Sequence, residues 1–411
     1  MGAFTPSQLM IRLQALTVFR ALSDDPVLRA LSVCLEGMMS PSLPEAYAIS
    51  GYAAFVSELY RAGTCNLTAY VRELVCDDEN PYVCCVAAGE TPPAALETCV
   101  EQELLTLQAV AALTSEQLLA MREWKQITPD FLPTWETDAS AAEELPTVYR
   151  DRMKQIGRHG YGMYARFVMF RLDETGGIQP VQSPDPVQLE DLVGYGREKK
   201  IILENMCALL AGKPAANVLL TGDAGTGKSS TVKAAVNALS GEGLRILELR
   251  KEQLHFLPKV MGALRDNPLK FILFIDDLSF AGEDDNFGAL KAMLEGSVSA
   301  KCRNVAIYAT GNRRHLVKER FSDREGDDIH RNDTMQEILS LSERFGVLVT
   351  FSRPDKATYL EIVRRLAEAE GLSFEEEELF AAAERFALQR ACRSARAARQ
   401  FVDNLVAGTD N

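Results

Sequence analysis

The chain has 411 residues, of which 47% are hydrophobic and 25% are charged, and its formal net charge is -14. This balance is typical of a soluble globular protein of two to three domains, and it argues against long disorder, collagen-like repeats and coiled-coil rods. The negative charge argues against a protein that binds polyanions by bulk charge, and no apolar run is long enough to predict a membrane span.

The charge is distributed unevenly along the chain. Residues 1–186 hold 13 Lys and Arg against 24 Asp and Glu, a net of -11, which leaves 31 against 34, a net of -3, for the remainder. The nine cysteines form no CxxC pair, and the first residues lack the basic and apolar stretches of a secretory signal. We therefore expect reduced thiols and a cytoplasmic protein.

The acidic front of the chain, residues 1–155, is predicted to form a mainly helical domain. Val27 to Met39 and Leu96 to Met121 place apolar residues at three- and four-residue spacing. Residues 156–186 are predicted to be a strand and a connector, because Ala165 to Leu172 has a strand-like composition and a proline-rich stretch follows it. A domain boundary is expected in this connector.

The back of the chain alternates short apolar runs with helical stretches, which predicts a parallel sheet covered on both faces. The predicted strands are Asn217 to Leu220, Arg245 to Leu249, Phe271 to Ile275, Val305 to Ala309 and Val347 to Phe351. From Lys356 to Val406 the pattern is helical only. We expect an α/β domain over residues 187–354 and a smaller helical lid over residues 355–411.

The strongest motif is GDAGTGKS at residues 222–229, which fits the phosphate-binding pattern G-x-x-x-x-G-K-[ST] at every fixed position. An apolar strand leads into it and a helix leaves it. Glycines let the backbone N–H groups of such a loop face phosphate oxygens, and the helix N-terminus adds a partial positive charge. Lys228 is expected to reach the β- and γ-phosphates, and the Ser229 hydroxyl to ligate Mg²⁺. The predicted nucleotide-binding residues are Gly222, Asp223, Ala224, Gly225, Thr226, Gly227, Lys228, Ser229 and Ser230.

A pair of carboxylates follows a buried strand further along the chain. The apolar run Phe271 to Ile275 ends directly in Asp276 and Asp277. Nucleotide hydrolysis needs carboxylates at such a strand end, so we expect Asp276 to bind Mg²⁺ through water and Asp277 to polarise the attacking water. The alternative is a strand that ends in a solvated turn.

Small polar groups follow a third buried strand, which continues from Ala309 into Thr310, Gly311 and Asn312. If this strand lies between the phosphate-loop strand and the acidic strand, it delivers Asn312 to the γ-phosphate or to the attacking water. Otherwise Thr310 and Asn312 only shape a turn.

The order of these motifs resembles an AAA+ ATPase over roughly residues 187–411. The stretches FILFIDDLSF, IYATGNRRHL and SLSERFG are similar to an uncharacterised bacterial family of predicted AAA+ ATPases, and the acid pair followed by Leu is also similar to helicase loaders and transposition helper ATPases. The resemblance implies a P-loop NTPase fold, ATP and Mg²⁺ as cofactors, and a segment from Asp191 to Tyr195 that lies against the base. Most AAA+ proteins have Glu where this chain has Asp277. Asp is one methylene shorter, so slower hydrolysis is expected.

The same resemblance implies two functional arginines. In AAA+ proteins the arginine of a stretch like SERF points into the neighbouring subunit's site, which makes Arg344 the expected arginine finger and implies a homo-oligomer. A second arginine normally comes from the lid, and Arg396 is at the matching position. The usual lid motif has a nearby Gly that is absent here, so Arg393 and Arg399 stay open as alternatives. The other readings are a surface ion pair for Arg344 and an ordinary basic helix face for Arg396.

Three functions are therefore compared. The first is an oligomeric ATPase that hydrolyses ATP with Mg²⁺ to load or remodel a macromolecular partner. The second is an ATP-dependent binding switch with little hydrolysis, motivated by Asp277. The third is a monomeric phosphotransferase, which leaves Arg344 and the acidic front unexplained. The acidic front is expected to select a protein partner, nucleic acid binding stays open through the lid arginines, and no membrane association is expected.

Overall fold

The computed structural model describes residues 4–278, 290, 294, 302–311, 344–390 and 392–408. The chain divides into two compact units, Met1–Arg166 and Phe167–Asn411. This division falls within residues 156–186. Among the residues so described, none of the helices is both long and apolar enough to cross a membrane.

The first unit is built from helices around one apolar core. These helices are α1 (Pro6–Gln14), α2 (Pro26–Met39), α3 (Glu45–Arg61), α4 (Leu67–Asp77), α5 (Pro81–Ala87), α6 (Ala94–Ala111), α7 (Ser115–Leu119), α8 (Ala139–Glu143), α9 (Leu145–Lys154), α10 (Ile156–His159) and α11 (Met163–Arg166). Phe19, Tyr52 and Leu104 are fully buried in the core. The helical character predicted for the front of the chain is confirmed.

One predicted helical stretch of the first unit is divided in two. Residues from Leu96 to Met121 form α6 and α7, separated by a short turn. The new helix starts at Thr114, whose hydroxyl accepts a hydrogen bond from the backbone N–H of Gln117, while the Gln117 side chain accepts one from the N–H of Thr114. This reciprocal capping box satisfies N–H groups that a continuous helix would have bonded differently, so it favours a break.

The second unit contains a seven-stranded sheet. Its strands are β1 (Met169–Leu172), β2 (Ile178–Pro180), β3 (Val218–Gly222), β4 (Leu244–Leu249), β5 (Lys270–Ile275), β6 (Val305–Gly311) and β7 (Val347–Phe351). Their order is β2-β1-β4-β5-β6-β3-β7, and every pairing except that of β1 with β2 is parallel. The predicted parallel sheet is therefore confirmed.

Helices connect and cover these strands. They are α12 (Gly196–Leu210), α13 (Lys228–Leu239) and α14 (Leu257–Leu264). Ile202 and Met206 of α12 and Val232 of α13 pack with alternate strand residues in one core. All residues of β5 after Lys270 are buried, as expected of a strand covered on both faces.

The segment before this sheet differs from the sequence prediction. The strand expected from Ala165 begins four residues later at Met169, because Met163–Arg166 forms helix α11. The missed strand β2 pairs with β1 across a turn in which the Asp173 carboxylate accepts hydrogen bonds from the N–H groups of Thr175 and Gly177, each 2.8 Å long. Since β1 also pairs with β4, this hairpin extends the sheet.

The C-terminal part of the chain, for which the sequence predicts helices only, forms α15 (Lys356–Ala369), α16 (Glu376–Gln389) and α17 (Ala395–Val406), called the lid below. The Asp355 carboxylate caps α15 through the N–H of Thr358, and the Ser394 hydroxyl caps α17 through the N–H of Ala397. Tyr359, Ala383 and Phe401, one from each helix, meet in a separate small core.

Candidate nucleotide site

The site is built at the carboxyl ends of β3, β5 and β6. The phosphate-loop strand β3 lies between β6 and β7, and β6 separates it from the acidic strand β5. The expected delivery of Asn312 to the γ-phosphate or to the attacking water required this position of β6, between the phosphate-loop strand and the acidic strand. Polar residues that follow three neighbouring strands are thereby brought to one edge of the sheet.

The loop from Gly222 to Gly227 joins β3 to α13. A Cβ atom at Gly222 would lie 2.1 Å from the backbone oxygen of Phe351 on β7, so only glycine allows the two strands to pair here. Gly227 precedes the first residue of α13 with a left-handed φ of 89°. Lys228, Ser229 and Ser230 then form the first turn of the helix, where free N–H groups favour an anion.

Lys228 is held over the loop. Its side-chain ammonium donates hydrogen bonds to the backbone oxygens of Gly222 and Asp223, 2.9 and 2.8 Å away. Burial lowers the pKa of this ammonium, and the nearby carboxylates of Asp276, Asp223 and Asp277 oppose that effect. A charge held by several acceptors in a buried position is suited to contact phosphate oxygens.

Two hydroxyl groups converge on one oxygen of Asp276. Ser229 Oγ and Thr310 Oγ1 each donate a 2.6 Å hydrogen bond to Asp276 Oδ1. The Thr310 hydroxyl also accepts a hydrogen bond from the backbone N–H of Asp277 at 2.9 Å, and the Thr310 carbonyl accepts one from the N–H of Leu278 at 2.7 Å. Thr310 thus fixes the acid pair against β6. From the sequence alone, Thr310 is predicted only to shape a turn.

Asp277 has an unusual backbone conformation, with φ of 55°. Asp and Asn adopt this left-handed region more readily than most residues that carry a Cβ atom. Its side chain is exposed, one residue beyond Asp276. The backbone conformation is therefore compatible with the aspartate found at this position.

The lid contacts the loop through the start of α17. The backbone N–H of Arg396 donates to the Gly225 oxygen at 3.4 Å, and a Cβ atom at Gly225 would lie 3.1 Å from Arg396 Cβ and 3.2 Å from Ser394 Oγ. Arg393 and Arg399 instead form ion pairs with Glu384 and Glu370 of the lid. Of the three candidate lid arginines, the structure therefore brings Arg396 to the loop.

The segment predicted to lie against the base bridges the sheet and the lid. The Tyr195 hydroxyl donates to the Ser352 oxygen at 2.7 Å, and its ring packs 4.9 Å from that of Phe351. A Cβ atom at Gly194 would lie 3.2 Å from the Thr358 methyl group, and Val193 packs against the lid core. This segment lies beside the end of β7, next to the loop strand.

The remaining predicted residues lie elsewhere. Arg344 precedes β7, at the edge of the sheet where the parallel strands begin. Gly346, two residues later, lies beside Ala216, which precedes β3; a Cβ atom at Gly346 would lie 3.0 Å from Ala216 Cβ. β7 has five residues, so about 16 Å separate that edge from the loop at the rate of roughly 3.3 Å per residue. Asn312 lies outside the described residues; β6 ends at Gly311, which pairs with Thr221.

Comparison with known proteins assigns the family. The family model described as "Protein of unknown function (DUF815)" matches residues 164–409. The chain belongs to this family. The DUF815 match begins near the end of the first unit and includes the sheet, the loop and the lid. No curated protein matches this DUF815 chain at a significant level.

Solved structures of AAA+ ATPases are similar to the DUF815 chain in fold. A Thermotoga maritima RuvB variant is 19% identical, with a TM-score of 0.36, over 55% of this chain and 68% of that one. The Thermotoga maritima RuvB Holliday junction branch migration motor is 18% identical, with a TM-score of 0.35 and the same coverage. The FIGL-1 AAA domain in complex with ADP is 16% identical, with a TM-score of 0.40, over 54% of this chain and 73% of that one.

Proposed function

We propose that this protein is a Mg²⁺-dependent ATPase of the AAA+ type, which works as a homo-oligomer to load or remodel a macromolecular partner. The observation that carries the proposal is the convergence of the Ser229 and Thr310 hydroxyls on Asp276, beside a phosphate loop whose lysine is already held in place. This arrangement combines a triphosphate cradle with hard oxygen ligands for a divalent cation.

The donor chemistry fits Mg²⁺. The Ser229 hydroxyl would bind this ion directly and the exposed Asp276 carboxylate would bind it through water; both are oxygen groups of the kind that Mg²⁺ prefers, and Ser229 Oγ lies 2.6 Å from Asp276 Oδ1. In the described part of the chain no cluster of three His, Cys, Asp or Glu forms an all-protein metal cage. Mg²⁺ keeps several waters and binds substrate phosphates, so it needs few protein ligands. When bound, the ion neutralises charge on the phosphates.

The other residues complete the proposed hydrolysis. Lys228 contacts the β- and γ-phosphates. Asp277 polarises the attacking water, with Asn312 as its proposed partner at the γ-phosphate. Arg396 adds positive charge from the lid. The carboxylates are positioned by β5 and the lid arginine by α17.

The position of Arg344 supports action in a neighbouring subunit. It lies at the edge of the sheet away from its own loop, so it contributes in trans or not at all. An arginine finger raises the rate by about 10³–10⁵ where one operates. A homo-oligomer is proposed because Arg344 would then lie at the nucleotide of a neighbouring subunit.

The acidic helical front, residues 1–155, is the proposed binding region for a protein partner in the cytoplasm. Much of the lid's positive charge is paired with lid acids: Arg364 with Glu361 at 2.7 Å, Arg393 with Glu384 at 2.9 Å. Paired arginines release fewer counterions on binding nucleic acid. The charge distribution therefore favours a protein partner over nucleic acid.

Comparing Lys228→Ala with Asp277→Asn tests the proposal against the alternative of a binding switch. For an ATPase, Lys228→Ala loses ATP binding, whereas Asp277→Asn binds ATP but releases no phosphate. A switch tolerates Asp277→Asn without any change in its ATP-dependent behaviour. Equal phosphate release by the wild-type protein and Asp277→Asn would contradict the proposed role of this residue.

A further inference from the structure

We infer that Arg353, at the end of β7, is a positioning residue for nucleotide binding, acting through Asp223 of the phosphate loop. This inference rests on the proposed function. The Arg353 Nε donates to Asp223 Oδ2 at 2.7 Å, across 130 positions of sequence. The side chains are 46% and 30% exposed, so the pair lies at the mouth of the loop rather than in the core.

Asp223 accepts hydrogen bonds from three segments of the chain. Its backbone oxygen accepts hydrogen bonds from Lys228 Nζ at 2.8 Å and from Thr226 Oγ1 at 3.0 Å, while its carboxylate accepts from Arg353. The residue is therefore tied to α13, to its own loop and to the end of β7. Fixing both its backbone and its side chain holds the first turn of the loop in one conformation.

The negative charge of Asp223 opposes phosphate binding, and the positive charge of Arg353 offsets it. A carboxylate in a loop that cradles phosphates repels them, because like charges within a few ångströms oppose binding. The Arg353 guanidinium neutralises this carboxylate and holds it to one side. Without the arginine, the same carboxylate is free to turn toward the phosphates and lower their affinity.

Arg353 also lies in the short connection between sheet and lid. It follows Ser352, whose oxygen accepts the Tyr195 hydroxyl, and it lies two residues before Asp355, the cap of α15. The ion pair therefore joins the phosphate loop to the start of the lid.

A double-mutant cycle on ATP affinity tests the inference, measured with a fluorescent ATP analogue and Mg²⁺. Arg353→Gln is expected to weaken binding by about five- to tenfold, as an uncompensated charge near phosphates does. Asp223→Asn is expected to bind at least as tightly as wild type, and the double variant Asp223→Asn/Arg353→Gln to bind within about twofold of Asp223→Asn. In Arg353→Gln, the rate of hydrolysis at saturating ATP is expected to fall less than the ATP affinity does, which separates positioning from catalysis.

Arg364→Gln is the matched control, because Arg364 forms an ion pair with Glu361 of the same 2.7 Å length and similar exposure, within α15 and away from the loop. It is expected to leave ATP affinity unchanged. Arg353→Lys keeps the charge and is expected to keep most of the affinity, and Arg353→Ala replaces Arg353→Gln in the cycle if the latter does not fold. Additive effects of the two substitutions, or wild-type affinity in Arg353→Gln, would overturn the inference. Absence of ATP binding by the wild-type protein would instead overturn the proposed function.

Discussion

Ser229 and Asp276 are joined by a 2.6 Å hydrogen bond, although the strands that precede them are not neighbours in the sheet. The strand between them, β6, contributes Thr310 to the same carboxylate oxygen. Three segments far apart in sequence therefore meet on one atom.

Replacing Thr310 with Val should slow hydrolysis by about 10- to 100-fold, as is typical when a group that orients a metal ligand is lost. The change removes the hydroxyl that holds Asp276 and leaves the N–H of Asp277 without its acceptor. Thr310→Ser restores the hydroxyl and should recover most of the rate. Thr350→Val, which removes a β7 hydroxyl that hydrogen-bonds the Thr221 hydroxyl instead of Asp276, is the control. A full rate in Thr310→Val would show that Thr310 only shapes a turn.

Lengthening the Asp277 side chain should lower stability. Because φ at this position is 55°, Asp277→Glu is expected to reduce the free energy of unfolding by about 1 kcal/mol, whereas Asp277→Asn should preserve it. Chemical denaturation of the two variants measures the difference. If Asp277→Glu is as stable as the wild-type protein, the backbone conformation does not explain the choice of Asp.

Replacing Arg396 should reduce ATP affinity or turnover, whereas replacing Arg393 should not. Arg396→Ala is expected to reduce ATP affinity or turnover by about tenfold, consistent with the loss of one charged contact to phosphate. Arg393→Ala breaks the pair with Glu384, so it should lower the unfolding midpoint slightly and leave ATP affinity intact. The reverse pattern would assign the nucleotide contact to Arg393.

Mixing two inactive variants tests the placement of Arg344. Lys228→Ala has an intact Arg344 and Arg344→Ala has an intact loop, so each alone should hydrolyse ATP at least about 10³-fold more slowly than wild type. A mixed oligomer contains some interfaces in which both parts are intact, and phosphate release should rise well above the sum of the two. A mixture no faster than that sum would mean that Arg344 does not act in trans.

The phosphate loop and the acid pair could be predicted from sequence because each is a contiguous motif attached to a strand. The contact of Asp276 with Thr310 depends on the order of the strands in the sheet. The sequence does not determine that order, so the placement of the third strand beside the acidic strand could only be assumed. The pair of Asp223 with Arg353 joins positions 130 residues apart and leaves no local pattern. Local signals were also overlooked: the spacing of Thr114 and Gln117 is a capping-box pattern that marks the break between α6 and α7.

Among the lid arginines, the resemblance alone favours Arg396, whereas the residue pattern does not distinguish it from Arg393 and Arg399. Arg393, Arg396 and Arg399 follow one another at three-residue spacing, so periodicity treats them alike. Their difference arises from tertiary neighbours: Glu384 and Glu370 bind two of them, and the cap of α17 places the third at Gly225.

Calorimetric titration with ATP, with and without Mg²⁺, followed by phosphate release from the same samples, tests the central claim most directly. The full-length wild-type protein should bind ATP more tightly with Mg²⁺ and release phosphate, whereas Lys228→Ala should bind at least about tenfold more weakly because a charged contact to phosphate is lost. Equal ATP binding by the two proteins would contradict the assignment of residues 222–230 as the nucleotide site.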